Sequence, residues 1–410
     1  MSGGERKAGM AGRSRTPRAA IAAISAALCV ALAATGCSPD AVEELPTRED
    51  FAAGDVITRM AMDSPGPEAT RIVYASESVE GRGAVVSGVL IEPEQPWWGP
   101  GDRPIAVIAP GTQGAADYCS MSMTMHFGQD APPPADLFLS RGWGVAITDY
   151  GGLGTPGRHT YLMREAQGKA VLDVARAAAN EWGDGPVVMF GFSQGGAATA
   201  AAAELADDYA PDLDVRAVYA GGVPEDLAGT AAHIDGSALV GAMGYAVGGL
   251  VAAYPELADE VDALLSEEGR RFVESTSGEC VGDTVRNWGG RDSRDFTADG
   301  RTLAEVLETS GELREVVGKQ RLGEVAPSMP VFVAHNSFDD VIPVDGARDL
   351  VRRWCEGGAD VTYVEVSGGA GGEGRGECGG GSRARGLQLA AGDALEWLDA
   401  VIDGTHRPGC

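Results

Sequence analysis

Gly191-Phe192-Ser193-Gln194-Gly195 decides how this chain is read. Just before it, Pro186-Val187-Val188-Met189-Phe190 is a short unbroken apolar run, the pattern of a buried strand. Just after it, Gly196 to Ala206 is rich in alanine and reads as a helix. A serine between the two sits on a sharp strand-to-helix turn. Glycine on either side permits the close backbone approach that such a turn requires, and the hydroxyl is left exposed at the positive end of a helix. With 60 glycines in 410 residues the pentapeptide alone is easily met by chance, so its strand-helix context carries the weight.

Outward from this turn, strands and helices alternate. Arg71–Ser76 and Ala84–Ile91 read as an opening antiparallel pair. Pro104–Ala109, Gly144–Asp149, Val215–Ala220, Pro330–Ala334 and Val361–Val366 read as further strands. Helices are expected over Met163–Asn180, Gly346–Cys355 and Leu387–Ile402. Such alternation predicts an α/β fold with a mostly parallel sheet covered on both faces, and with the serine turn it predicts an α/β-hydrolase. Residues 222–322 lose the alternation and read as a helical cap inserted between two halves of the core, 67–221 and 323–410. Residues 37–66, rich in Pro, Asp and Glu, read as a linker, and Gly368–Gly386 is a low-complexity tract of Gly, Arg and Glu.

A serine hydroxyl is a weak nucleophile at neutral pH. It needs a base to take its proton and a carboxylate to orient that base. In this fold the order along the chain is serine, acid, histidine. Asp339, in Asp339-Asp340-Val341-Ile342-Pro343 after the strand Pro330–Ala334, is the expected acid, with Asp340 as the alternative. An oxyanion hole needs two converging donors. Gln194 supplies one through its backbone N–H, and Thr112 or Gln113, in the loop after Pro104–Ala109, the other.

The formal net charge of −28 argues against nucleic-acid binding, because phosphates are repelled. The N-terminus reads as an export signal over residues 1–36. Arg6, Lys7, Arg13, Arg15 and Arg18 precede the apolar stretch Ala19–Ala34, which is short for a membrane span. The stretch ends in Ala33-Ala34-Thr35-Gly36-Cys37, similar to a bacterial lipobox, with Ala34 where leucine is usual. Cys37 is the expected lipidation site, anchoring an extracytoplasmic lipoprotein; simple secretion is the alternative. Without residues 1–36, which hold five basic residues and one acidic one, the charge becomes −32. Cys29, in the signal, and Cys37 leave five more, at 119, 280, 355, 378 and 410. That odd number in an oxidising compartment leaves at least one outside an internal bond. No CxxC or His-rich cluster suggests a metal site.

Several stretches together resemble the secretory lipases of the α/β-hydrolase superfamily. They are Ala109-Pro110-Gly111-Thr112-Gln113-Gly114 with Cys119, Thr148-Asp149-Tyr150-Gly151-Gly152-Leu153-Gly154 with Tyr161, the serine turn with Tyr209-Ala210-Pro211 and Gly221-Gly222-Val223-Pro224, and Asp339-Asp340-Val341-Ile342-Pro343. The resemblance implies hydrolysis of acylglycerol esters, no cofactor and export. It also implies disulfides Cys119–Cys280 and Cys355–Cys410, with Cys378 left as a thiol.

One part of that pattern is missing. The family's histidine belongs in the loop after Val361–Val366, which here runs from Ser367 to Cys378 without one; Gly371 or Gly372 occupies the place. The chain's five histidines are 126, 159, 233, 335 and 406. The base is unassigned: His335, at the end of the strand before Asp339, is a candidate substitute, and His126 and His159, which follow strands on the functional side, stay open. Loss of a triad member cuts kcat by about 10⁴–10⁶-fold, so a lipase-like lipoprotein that binds lipids or partners without turnover is the rival reading. The tract's composition is also that of a GC-rich gene read briefly out of frame.

Overall fold

The apolar runs of the sequence become neighbours in one sheet of nine strands. The computed structural model describes residues 51–63, 67–367 and 381–410, which all lie in the second of two units, Thr47–Cys410. The strands are β1 (Val56–Ala61), β2 (Ala69–Glu77), β3 (Gly83–Ile91), β4 (Ile105–Ala109), β5 (Gly144–Thr148), β6 (Val187–Phe192), β7 (Val215–Gly221), β8 (Val331–Asn336) and β9 (Val361–Val366). Their spatial order is β1-β2-β3-β5-β4-β6-β7-β8-β9. β1, β2 and β3 run antiparallel, and β3 joins β5 antiparallel; from β5 to β9 all pairs are parallel. The central strands β4 and β5 are buried at every residue, as expected of a sheet covered on both faces.

Helices α1 (Met121–His126) and α2 (Pro134–Leu139) lie between β4 and β5. α3 (Arg164–Trp182) precedes β6, and α4 (Gln194–Tyr209) follows it. Late in the chain come α12 (Val344–Glu356) and α13 (Gly381–Ile402). The layer of α3, α4 and α12 packs on one face of the sheet, through Leu172, Ala198, Ala201 and Trp354. α1, α2 and α13 cover the other through Met121, Phe138, Trp397 and Leu398. The alanines of α4 allow close contact: a methyl on Gly168 of α3 would stand 3.0 Å from the backbone of Ala201 and Ala202.

Between β7 and β8 stand seven α-helices: α5 (Leu227–Ile234), α6 (Ala242–Ala253), α7 (Ala258–Leu264), α8 (Glu267–Thr276), α9 (Val281–Trp288), α10 (Leu303–Thr309) and α11 (Gly311–Lys319). They bury two apolar clusters of their own, one around Leu250, Leu257 and Val316, the other around Val240, Phe272 and Phe296. The entry and exit of this insertion meet where Leu322 N–H donates to Glu225 C=O at 3.0 Å.

Three details differ from the sequence expectation. Residues 56–61, assigned to the 37–66 linker, form edge strand β1; four of its six residues are exposed, so backbone pairing to β2 holds it and no apolar alternation announces it. α13 begins at Gly381, inside the glycine-rich tract, because adding a turn to a helix already nucleated costs little. α1 and α2 were not anticipated, each being only six residues long. The export signal, Cys37, Cys378 and residues 368–380 lie outside the described residues. Among the described residues no helix is long and apolar enough to cross a membrane, and no group of three or more His, Cys, Asp or Glu is placed to hold a metal ion.

Candidate active site

β4 and β6 are neighbours, but the chain leaves them toward opposite sides of the sheet, and in open α/β sheets the crevice beyond such a point is where ligands bind. Ser193 stands there, at the C-terminal end of β6, with φ 61° and ψ −121°. A non-glycine residue at positive φ is strained by about 1–3 kcal/mol and persists only when its surroundings impose it. Here they do. Ser193 N–H donates to Gly221 C=O at 2.8 Å. A methyl on Gly191 would lie 2.0 Å from the Gly195 carbonyl oxygen, and one on Gly195 would lie 1.9 Å from that of Ala109. Only glycine fits at either position. Gln194 opens α4, so its backbone N–H has no partner within the helix, and the residue lines the crevice.

The loop after β4 faces the serine: a methyl built on Gly111 would come within 4.0 Å of Ser193 Cβ. Thr112 Oγ1 and Tyr161 Oη share a hydrogen bond of 2.7 Å. Gln113 Nε2 donates to Gly111 C=O at 3.0 Å. Both side chains are thus engaged within the loop and its neighbour, and Gly111, Thr112 and Gln113 line the crevice with Gln194.

Asp339 follows β8, two strands from β6, which is roughly 10 Å of sheet at the usual inter-strand spacing. It is buried, while Asp340 is exposed. Asp339 Oδ1 accepts from the N–H groups of Val341 and Ile342, at 2.9 and 3.0 Å. The structure therefore brings Ser193, the Gly111–Gln113 backbone and Asp339 to one edge of the sheet, and Val341 and Ile342 line the same cavity as Ser193.

All five histidines of the chain are described. His335 is buried beneath the acid loop, donating from Nε2 to Ile342 C=O at 3.1 Å, and does not line the cavity. His233, on α5, has Nε2 3.3 Å from the backbone oxygen of Asp339. His406 pairs with Asp360, in the turn that leads into β9 and so at the opposite end of the strand from the crevice. His126 ends α1, packed edge-on against Phe127. His159 lies in the loop after β5, with Nε2 3.0 Å from Gln194 Nε2. Burial lowers its pKa to about 4, so its ring is neutral at ordinary pH. This contact was not legible beforehand; the available signal was only that His159 follows a strand on the functional edge.

Above Ser193 lies a cavity of about 320 Å³ with mainly apolar walls. Core residues Ser193, Gln194 and Leu162 form its floor, and cap residues Ile234, Met243, Leu250 and Leu303 enclose it. The cap is fastened beside the oxyanion loop. The Cys119–Cys280 disulfide joins them, Val281 N–H donates to Gln113 C=O at 2.8 Å, and Ala115 N–H donates to Glu279 C=O at 3.0 Å. A second disulfide, Cys355–Cys410, ties α12 to the stretch after α13.

The secretory lipase family model matches residues 135–407, two thirds of the sequence, including β5–β9, the serine turn, the cap and the acid loop. The chain belongs to the secretory lipase family. Among curated proteins, it is similar to the "probable inactive lipase MT1628" of Mycobacterium tuberculosis, 33% identical over 230 residues, which are 55% of this chain and 50% of that protein. Another is the secreted triacylglycerol lipase LIP5 of Malassezia globosa, 31% identical over 244 residues, 56% of this chain and 49% of that one. The chain spans about half the length of these curated relatives. Among solved structures, Candida antarctica lipase A in its closed state superposes with a TM-score of 0.75 at 20% identity, covering 89% of this chain and 86% of that one. The rice cell wall degrading esterase LipA of Xanthomonas oryzae gives 0.71 at 19% identity, covering 87% and 100%. These two likenesses establish the α/β-hydrolase fold.

Proposed function

We propose that the chain is an exported carboxylic-ester hydrolase of lipase or esterase type, acting through an acyl-Ser193 intermediate. The observation that carries this reading is Ser193 itself, held at positive φ on the floor of an apolar cavity, at the start of α4. An ester's acyl chain would occupy the cavity and its carbonyl would lie over Ser193. As Oγ attacks, the negative charge forming on the carbonyl oxygen would be met by Gln194 N–H and by a backbone N–H of Thr112 or Gln113. Asp339 would orient a general base, to which no residue is assigned; that base would take the Ser193 proton and give it to the leaving alcohol, then take one from the water that releases the acid and return it to Ser193. No step needs a cofactor.

A fluorophosphonate probe tests this. Covalent modification of Ser193, lost in Ser193→Ala, is expected; an intact protein that stays unlabelled overturns it. A second reading has its own support. No histidine lies between β9 and α13, and a similar curated protein carries an inactive name. On that reading the protein binds acyl chains in the same cavity without turnover, and it would retain a fluorescent fatty acid while hydrolysing no p-nitrophenyl ester. Anchoring through a lipidated Cys37 belongs to the same proposal. Globomycin-sensitive processing and membrane fractionation support it, and a mature protein found free in the medium with another N-terminus rules it out.

A further inference from the structure

We propose that the loop Tyr150–Leu162 is the positioning device of the oxyanion site, with His159 as its central positioning residue. The inference rests on the hydrolase reading for its purpose, but on independent contacts for its geometry. This one loop holds both arms of the crevice. Toward the β4 arm, Tyr150 Oη donates to Pro110 C=O at 2.6 Å, and Tyr161 Oη bonds Thr112 Oγ1 at 2.7 Å. Toward the serine turn, His159 Nε2 meets Gln194 Nε2 at 3.0 Å. The three rings stand in series: Tyr150 and His159 stack with centroids 5.9 Å apart, and Tyr161 sits edge-on to His159 at 5.7 Å.

The polarity of the His159 contact follows from its other side. Nδ1 lies 3.1 Å from Gly151 C=O, and a carbonyl can only accept, so the ring proton is on Nδ1. In the neutral ring Nε2 is then an acceptor, and Gln194 must turn its amide toward it. The second amide hydrogen of Gln194 goes to Gln167 Oε1 at 2.9 Å. Both hydrogens of the amide are thereby committed, and the side chain of the residue that opens α4 at the crevice is fixed in one orientation.

The loop is itself held firmly enough to position something else. Asp149, just before it, accepts from Ser87 Oγ at 2.7 Å and from Ser122 N–H at 2.9 Å. Tyr150 and Leu162 both stand at positive φ, 69° and 60°. A methyl on Gly152 would lie 2.0 Å from Arg158 C=O, so the loop closes on itself without slack. Strained backbone over-determined by its contacts is a recurrent mark of pre-organised sites.

Two variants of the full chain separate the hydrogen bond from the ring packing. His159→Phe keeps a ring but loses both polar contacts; His159→Gln restores an acceptor for Gln194. Hydrogen exchange by mass spectrometry is read on peptides covering 110–115 and 193–199, alongside fluorophosphonate labelling and ester hydrolysis. We expect exchange at least tenfold faster in both peptides of His159→Phe, with the rest of the sheet unchanged. Labelling should slow at least tenfold, and for any ester turned over kcat should fall while KM holds; His159→Gln should recover part of each. Unchanged exchange in both peptides overturns the proposal, as does acceleration spread evenly over the chain. Should Ser193 of the unsubstituted protein resist the probe, the hydrolase reading falls while the exchange comparison still judges the clamp.

Discussion

Gly221 C=O accepts from Ser193 N–H, and the N–H groups of Val341 and Ile342 donate to the Asp339 carboxylate. A chain with no histidine between β9 and α13 still builds this part of the site. The matching prediction is a gain of function. Gly371→His or Gly372→His, at the place where the family pattern puts its histidine, should raise kcat for a p-nitrophenyl ester by at least 10²-fold, given that triad members together supply about 10⁴–10⁶-fold. Stopped-flow or steady-state assays with Ser193→Ala as the blank decide it; if both variants stay at the starting rate, the missing residue is not what limits turnover. Sequencing the gene for a histidine codon in a shifted frame across 368–386 addresses the same gap from the other side.

At the scale of elements, one buried carboxylate joins core and cap. Glu204 of α4 accepts from Arg164 of α3 at 2.7 Å, from Trp354 Nε1 of α12 at 2.9 Å, and from Gly323 N–H at the cap's exit. Its side chain is fully buried and that of Arg164 is 12% exposed. Glu204→Gln keeps the shape but leaves a nearly buried guanidinium without its counter-charge, and should destabilise by about 3–5 kcal/mol in denaturant unfolding; a loss under 1 kcal/mol would show that the cluster is not strongly coupled. Elements of this kind were unevenly visible beforehand. β4, β5 and β6 could be read because complete burial writes an unbroken apolar run. β1 could not, since a strand held by its backbone at the edge carries no such run. Ser193 and Asp339 were legible because local turn chemistry and chain order specify them. The His159–Gln194 contact was not, because it spans 35 residues and exists only once β5 and β6 are set two strands apart.

For the whole molecule, two buried groups bend stability with pH in opposite senses. His159 has its pKa lowered from 6.5 to about 4 by burial. Its contribution is complete above pH 6.5 and drains away as pH falls toward 4, where the unfolded chain takes up the proton more readily. Asp173 is raised from 3.8 to about 6, burial outweighing its bonds to Ser76, Arg176 and Tyr209. Its contribution is complete below pH 3.8 and is lost as pH rises through 6. At about 1.4 kcal/mol per pKa unit, each is worth roughly 3 kcal/mol. Unfolding curves from pH 4 to 8 should therefore show Asp173→Asn as less harmful at pH 8 than at pH 4, and His159→Phe as less harmful at pH 4 than at pH 8; parallel curves for variant and parent would remove the assignments. The glycines beside Ser193 have a different consequence, for lineages. Each is demanded by a neighbouring carbonyl at under 2.5 Å from any added methyl, so folding alone is enough to preserve them. A descendant that had abandoned ester chemistry altogether would keep the same letters around its serine, and genome surveys that count such pentapeptides are counting scaffolds, some of them retired.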